Sequence, residues 1–288
     1  MIFDLTYISI AIASLILGLL LVLFIVRKTK KVRHKQIVGI QFILLIRDLI
    51  TSTQKHRGWS AAYARGDQSV LGDLNALKQN MKHTSSRLEH NFPVTEFERW
   101  ESYQDHWGRL SAHSEQLTLE NTVKQHTQIV SNLLFLLEDI AEHYHLTVEH
   151  LSDFPNVGLL WRELLHVAEY IGQSRALGTG IATQQFCSSV EKIKLGFLHQ
   201  KISEIANGTF NQLEQQKSKA DSFTVSQKVS QAKQQIGQFC QIIKQELIDA
   251  EKIELDSKQY FSMATDAIQV INDIFDTEVN QIKDHFSR

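Results

Sequence analysis

The sequence predicts an all-α protein: one apolar membrane-spanning helix followed by up-down helical bundles. Three observations carry that reading. Only two prolines interrupt 288 residues. Apolar residues recur at helical spacing along nearly the whole chain, and no stretch alternates with the period of two that a half-buried strand needs. Short polar breaks separate the long periodic segments, which favours antiparallel neighbours and hence bundles. With 43% hydrophobic residues the chain has ample material for a core and is too apolar for general disorder. Two cysteines, Cys187 and Cys240, are too few for a disulfide framework or a cysteine-ligated zinc and read as inert core thiols.

The first element is the 22-residue stretch 5–26, which is free of charge and rich in Leu, Ile, Val and Ala. As a helix it spans about 33 Å, enough for a bilayer core. A soluble amphipathic helix explains poorly a segment that is apolar on every face. Six Lys/Arg and no acid follow between Arg27 and Lys35, whereas the leader carries Asp4 and no base. A cleavable signal peptide has the reverse arrangement. The positive-inside rule therefore puts the leader outside and everything beyond Lys35 in the cytoplasm. The expectation is a single-pass protein of a bacterial-type inner membrane, divided into an anchor with its basic flank (1–35) and a helical domain (36–288).

Beyond residue 35 the chain holds 24 Lys/Arg against 31 Asp/Glu, a net charge of -7. That sign disfavours nucleic acid, whose binding depends on neutralising phosphates. The basic run beside a membrane span faces anionic lipid headgroups more readily than nucleic acid. The first helix of the domain runs from Ile37 through Ile40, Leu44, Ile46, Leu49 and Ile50 to Tyr63, and Arg65-Gly-Asp67 reads as a polar break. A second helix reaches about His90, and Asn91-Phe-Pro93 makes a turn. Helical pattern resumes over 95–118 and 121–151. Asp153-Phe-Pro155-Asn156 is the next turn, followed by helices at 157–184, 187–206, 223–253 and 256–286, with Asn207-Gly208 and 217–222 as breaks.

Two segments share a local pattern of arginine, small residue, large apolar residue and two small ones: Arg57-Gly58-Trp59-Ser60-Ala61 and Arg175-Ala176-Leu177-Gly178-Thr179. Glycine within a helix costs about 1 kcal/mol relative to alanine. Small residues at Gly58, Ser60, Ala176 and Gly178 let two helices approach closely while a guanidinium reaches between them. A charge in such a gap needs an anionic partner. Glu163, Glu169 or Asp48 can supply a carboxylate. Alternatively, two converging arginines can clamp a small planar anion, because a guanidinium presents planar, forked donors.

These segments resemble the nitrate- and nitrite-sensing (NIT) domain family. Its first helix carries Gln-x-(Glu/Arg)-Arg-Gly-x-Ser, matched by Gln54, Arg57, Gly58 and Ser60. A later element, Glu-x-x-Gly-x-(Glu)-Arg-(Gly/Ala), is matched by Glu169, Gly172, Arg175 and Ala176. A last one is matched by Tyr260-Phe261, Ala264-Thr265 and Ile268. The resemblance spans roughly residues 40–285. It implies two up-down four-helix bundles and nitrate or nitrite held by Arg57 and Arg175. The chain departs from the family pattern at His56, Ser174 and Ala267. His56 stands where a Glu or a second Arg is common and is taken as a third, pH-dependent contact, so that anion affinity weakens as pH rises past about 6.5. Family members usually precede an output module. This sequence stops about 20 residues after the last motif, which leads to the expectation that a signal passes through the membrane helix, through self-association as a homodimer, or to a separate signalling partner. The other reading is a ligand-free membrane-anchored scaffold whose arginines pair with acids.

Glu142-His-Tyr-His145 and Glu163-Leu-Leu-His166 have the Glu-x-x-His spacing of a metal site, which Glu115 or Glu120 and one more acid would complete. The two pairs are too close in sequence for the usual di-iron bundle, and the expectation is no metal and no cofactor. No glycine-rich phosphate loop, Gly-x-Ser-x-Gly or His-Glu-x-x-His occurs, so no enzyme activity is expected.

Overall fold

A computed structural model describes residues 2–215 and 222–287. Within them the chain is helical, without a strand. Eight long helices are present: α1 (Ile2–Ala64), α2 (Leu71–Asn91), α3 (Glu98–His113), α4 (Leu119–His143), α5 (Leu165–Gln184), α6 (Ser189–Gln215), α7 (Ser222–Ile242) and α8 (Ser257–Ser287). The distal part of α1 packs with α2, α3 and α4 as one bundle, and α5 to α8 form a second.

The anchor and the first domain helix are one element. α1 has 63 residues, about 95 Å of uninterrupted helix. Its first part carries exposed apolar side chains at Tyr7, Ile10 and from Ile12 to Val26 and is long and apolar enough to cross a membrane. From Ile40 onward the same helix buries Phe42, Ile43, Ile46, Leu49 and Ile50. The basic run between them contains neither glycine nor proline, so nothing in it breaks the helix. The expected boundary at residues 35 and 36 therefore falls within a continuous helix.

Helix directions follow from paired contacts. The carbonyl of His145, just past α4, accepts from Gln36 Nε2 at 3.0 Å, while His126 near the middle of α4 meets His56. α4 therefore runs back towards the apolar end of α1. A Cβ at Gly39 would collide with the Tyr144 side chain, so α1 and the end of α4 touch almost backbone to backbone. Phe42 stacks on Phe92 at 4.8 Å and takes Phe97 and Tyr144 on edge at 5.9 Å, which seals this end of the first bundle. In the second bundle Trp161 meets Phe275 at 5.7 Å and Phe239 meets Tyr260 at 5.5 Å. α8 also returns towards the apolar end: Asp276 pairs with Arg47, and the carbonyl of His285 accepts from Arg33 at 3.1 Å.

Several boundaries differ from the periodicity. Asn207 and Gly208 lie inside α6, because buried Ala206, Thr209 and Phe210 keep its core face intact. α4 ends at His143 and not near residue 151, since His145 adopts a left-handed conformation (φ 57°) and starts an irregular segment. The chain re-enters helix at Val157–Leu159, then passes through a π-helical stretch (Leu160–Leu164) in which Trp161 Nε1 donates to the Leu146 carbonyl at 2.8 Å. The expected break at 217–222 lies outside the described residues except for Ser222, which opens α7.

Candidate functional site

α5 runs parallel to the distal end of α1: Gly172 lies against Arg57 and Gly180 against Arg65. A Cβ on Gly172 would sit 2.8 Å from Arg57 Nη2, and one on Gly180 would strike Arg65 Nη2. These two glycines make the space in which the guanidiniums lie. Gly178 serves a different contact, because a Cβ there would run into the Tyr260 ring of α8. Tyr260 is fixed in turn by its hydroxyl, which donates to the Ser174 carbonyl at 3.0 Å.

Arg57 is fully buried, and its charge is met by a carboxylate. Nη1 and Nη2 donate to the two oxygens of Glu169 at 2.5 and 3.1 Å, and Nη1 also reaches Thr127 Oγ1 at 3.0 Å. Glu169 accepts further from Gln54 Nε2 (2.9 Å) and Gln173 Nε2 (3.0 Å). The pair is thus bidentate and surrounded by donors, the geometry in which desolvation of two charges is best offset. Of the three acids that could meet an arginine here, Glu169 does so.

Beside this pair lies a cavity of about 110 Å³ lined by Arg57, Arg65, Arg175, Gln54, Gly58 and Thr179 among others. Arg175 donates from Nη1 to Thr265 Oγ1 at 2.9 Å and stacks over the Phe261 ring at 4.8 Å. Burial and the nearby Arg57 charge pull its pKa down to about 10, which leaves it a cation under strain from its surroundings at neutral pH. Arg65 is an exposed residue whose guanidinium reaches back over Gly180, with the Ala176 carbonyl at 3.5 Å. Among the described residues neither Arg65 nor Arg175 has an ion-pair partner. The buried hydroxyl of Thr179 has no hydrogen-bond partner. Two unneutralised guanidiniums, an unsatisfied hydroxyl and a small void therefore share one place, the donor set a small oxyanion requires.

The sequence-derived residues divide between this cavity and its surroundings. Arg57, Arg175, Gly58 and Ala176 line it. Gly58 does so without any tight helix contact, since a Cβ there would meet open space. Ser60 is buried beside His56, 3.1 Å from its Nδ1. His56 corrects the expectation of a cationic third contact. It points towards α4, with Nδ1 2.8 Å from His126 Nε2 and its ring edge-on to Trp107 at 5.1 Å, and it does not line the cavity. Burial, then the neighbouring His126, pulls its pKa to about 3, so it is neutral throughout pH 5–8. His126 is likewise held near 4 by burial. Its Nδ1 lies 2.6 Å from the Thr122 carbonyl, which can only accept; Nδ1 therefore carries the proton, Nε2 accepts, and His56 Nδ1–H donates to it.

Arg65 and Thr179 are the cavity residues that sequence reasoning missed. Arg65 stands in a polar break of the sequence, yet it lies eight residues after Arg57 with Gly58, Ala61 and Ala62 between. That two-turn spacing along a small-residue face was the available signal. Thr179 was equally readable, four residues after Arg175. The Glu-x-x-His pairs lie apart: His145 contacts His150 and Lys35, while His166 faces Glu138 at 3.7 Å. Among the described residues no group of three or more His, Cys, Asp or Glu is arranged to hold a metal.

The fold is similar to the solved structure of the NasR transcription antiterminator, with a TM-score of 0.70 over 91% of this chain and 72% of that one. At 14% identity this is a likeness of fold. No curated protein sequence matches the chain. All three motif segments, from α1, α5 and α8, converge on the Arg57 cavity, and they lie within residues 48–283, where the model of the nitrate and nitrite sensing (NIT) family matches. The chain belongs to that family.

Proposed function

We propose that this protein is a membrane-anchored sensor that binds nitrate or nitrite in the cavity between α1, α5 and α8. Arg65 and Arg175 receive the anion, Thr179 donates to it, and Arg57 borders it while held by Glu169. The observation that carries the reading is the pair of guanidiniums without carboxylate partners facing one small void. A bound monoanion relieves the repulsion that Arg175 experiences from Arg57 and gives Thr179 an acceptor. Of the two planar monoanions, either satisfies these donors. The basic flank orients the domain to the cytoplasm, and α1 carries the change towards the membrane and to a separate signalling partner. Only a difference in affinity between two helix arrangements transmits such a signal.

A ligand-free scaffold is the second reading, favoured by the Arg57–Glu169 pair, which needs no external anion. The two separate at Arg65 and Arg175. Thermal melting of the full chain in detergent with nitrate, nitrite, chloride or sulfate at matched ionic strength tests them. At about 100 times the dissociation constant, binding adds roughly 2.7 kcal/mol and raises Tm by several degrees. The expected outcome is a rise with nitrate or nitrite alone that is absent from Arg65→Gln and Arg175→Gln. Superimposable curves in all four salts would establish the scaffold.

A further inference from the structure

Among the described residues, eight large apolar side chains are exposed outside the N-terminal apolar stretch, and four of them fall within 12 residues: Phe186, Val190, Ile193 and Phe197. Phe186 is 63% and Ile193 73% exposed. Val190, Ile193 and Phe197, spaced three and four apart, form one stripe along the start of α6, and Phe186 lies just before it in the connection at 185–188. The opposite face of the same helix buries Leu195, Leu198 and Ile202 in the second bundle, so the stripe is not a misplaced core face. The stripe and Phe186 line one wall of an open groove of about 1070 Å³, whose other walls are the start of α4 and the second half of α5. We propose that this stripe is the contact through which two copies of the chain pair in parallel.

The choice of a second copy rests on orientation. A membrane helix whose sidedness is fixed gives every copy the same direction. A symmetric pair can then have its twofold axis only along the membrane normal, and helices along that axis meet their counterparts in parallel. The three–four spacing of Val190, Ile193 and Phe197 is that of an a/d seam, which closes in that arrangement. α5 leads away from the anchor, and the connection at 185–188 turns the chain back, so α6 starts at the end of the domain remote from the membrane. The flanking charges permit pairing. With Val190 and Phe197 at a and Ile193 at d, the g positions are Ser189 and Gly196 and the e position is Lys194, so no like charges meet across the seam. Lys194 already faces Glu120 of its own chain at 3.8 Å. The next seam positions are Gln200 and Glu204, which confines the contact to the remote end. Confinement to one membrane raises the effective concentration enough for a small patch to suffice. The proposal depends on anchoring and is independent of whether the cavity takes an anion.

Oxidative crosslinking of the full chain in phosphatidylcholine/phosphatidylglycerol vesicles tests it, in a Cys187→Ser background that removes the thiol beside the stripe. Val190→Cys and Phe197→Cys are each expected to form a disulfide with their own kind, and Lys82→Cys, exposed on α2, is not. Adding Ile193→Glu to either variant should lower its crosslinked fraction at least tenfold while leaving helix content intact. Crosslinking only in a mixture of the two cysteine variants would mean an antiparallel contact and overturn the proposal, as would no crosslinking at either position. The nitrate-dependent melt of Ile193→Glu is read separately: its loss would bear on the anion site, and its retention leaves the two conclusions independent.

Discussion

Arg57 occupies the position most easily mistaken for the ligand clamp, and its removal is a poor test of sensing. Arg57→Ala leaves Glu169 buried with only two amide donors, a defect expected to cost about 3–5 kcal/mol whether or not an anion binds. Glu169→Gln separates the effects. It keeps one oxygen to accept from either Gln54 or Gln173, while its new amide nitrogen donates to the other once that glutamine turns its amide over, and it frees a third guanidinium beside the cavity. The variant is expected to melt below the parent in chloride and to gain more than the parent from nitrate; an equal gain in both would mean that Arg57 does not sense the cavity's charge. A second residue-scale effect concerns pH. Glu278 is buried on α8, and burial raises its pKa to about 7, well above its ordinary value of 4.5. The folded state therefore holds a proton that the unfolded state has released, and the associated stability, present below pH 4.5, is lost as pH rises through 7. His56 and His126 act in the opposite sense: their depressed values leave stability intact above about pH 6.5 and remove it as pH falls towards 4 and 3. Glu278→Gln is accordingly expected to raise Tm at pH 8, by the equivalent of about 3 kcal/mol, with little change at pH 4.5. A larger gain in acid than in base would reverse the assignment. Anion affinity, with His56 neutral, should stay flat between pH 5.5 and 8.

At the scale of elements, the glycines divide by what surrounds them. Gly172, Gly178 and Gly180 face side chains that a methyl would displace, whereas Gly58 faces the void. Gly58→Ala is expected to stabilise the anion-free protein by about 1 kcal/mol through helix propensity. The same methyl narrows the cavity, so the nitrate-dependent rise in Tm should shrink; a variant stabilised with an unchanged nitrate response would place the anion elsewhere. These elements also mark how far the sequence was legible. The long apolar segment, the eight helical segments and the convergence of Arg57 and Arg175 on one cavity could be read because helical periodicity and arginine beside small residues leave local traces. The run of α6 through Asn207-Gly208 could not, since its buried neighbours come from other helices. Arg65 was hidden for a related reason. Residues 65–67 do end the helix in a turn, with Gly66 at φ 99°, but the arginine side chain reaches across to α5. His56 misled in the other direction. Its sequence position suggested a ligand, and only the tertiary partner, His126, makes it a neutral member of a hydrogen-bonded pair.

For the whole molecule, the cavity lies far from the apolar stretch of α1. Arg57 follows Val26 by 31 residues, so about 46 Å of helix separates the guanidinium from the end of the apolar stretch. Both bundles grip this shaft: α4 along most of its distal half, and α8 through Asp276 at Arg47 and the carbonyls at 285 and 286 on Arg33. Under the proposed function, an anion that alters the packing of α5 on α1 would act on a rod fixed at several heights. Because that rod is unbroken, the number of residues between the cavity and the bilayer also sets an angle. Each residue added within the basic run turns the anchor by about 100° and lifts the domain by about 1.5 Å, whereas seven together bring it round to within about 20° of its original facing. The span between anchor and cavity can thus vary in steps of a heptad without changing which side of the domain a neighbouring membrane protein meets, and any other change in length presents that neighbour with a different face.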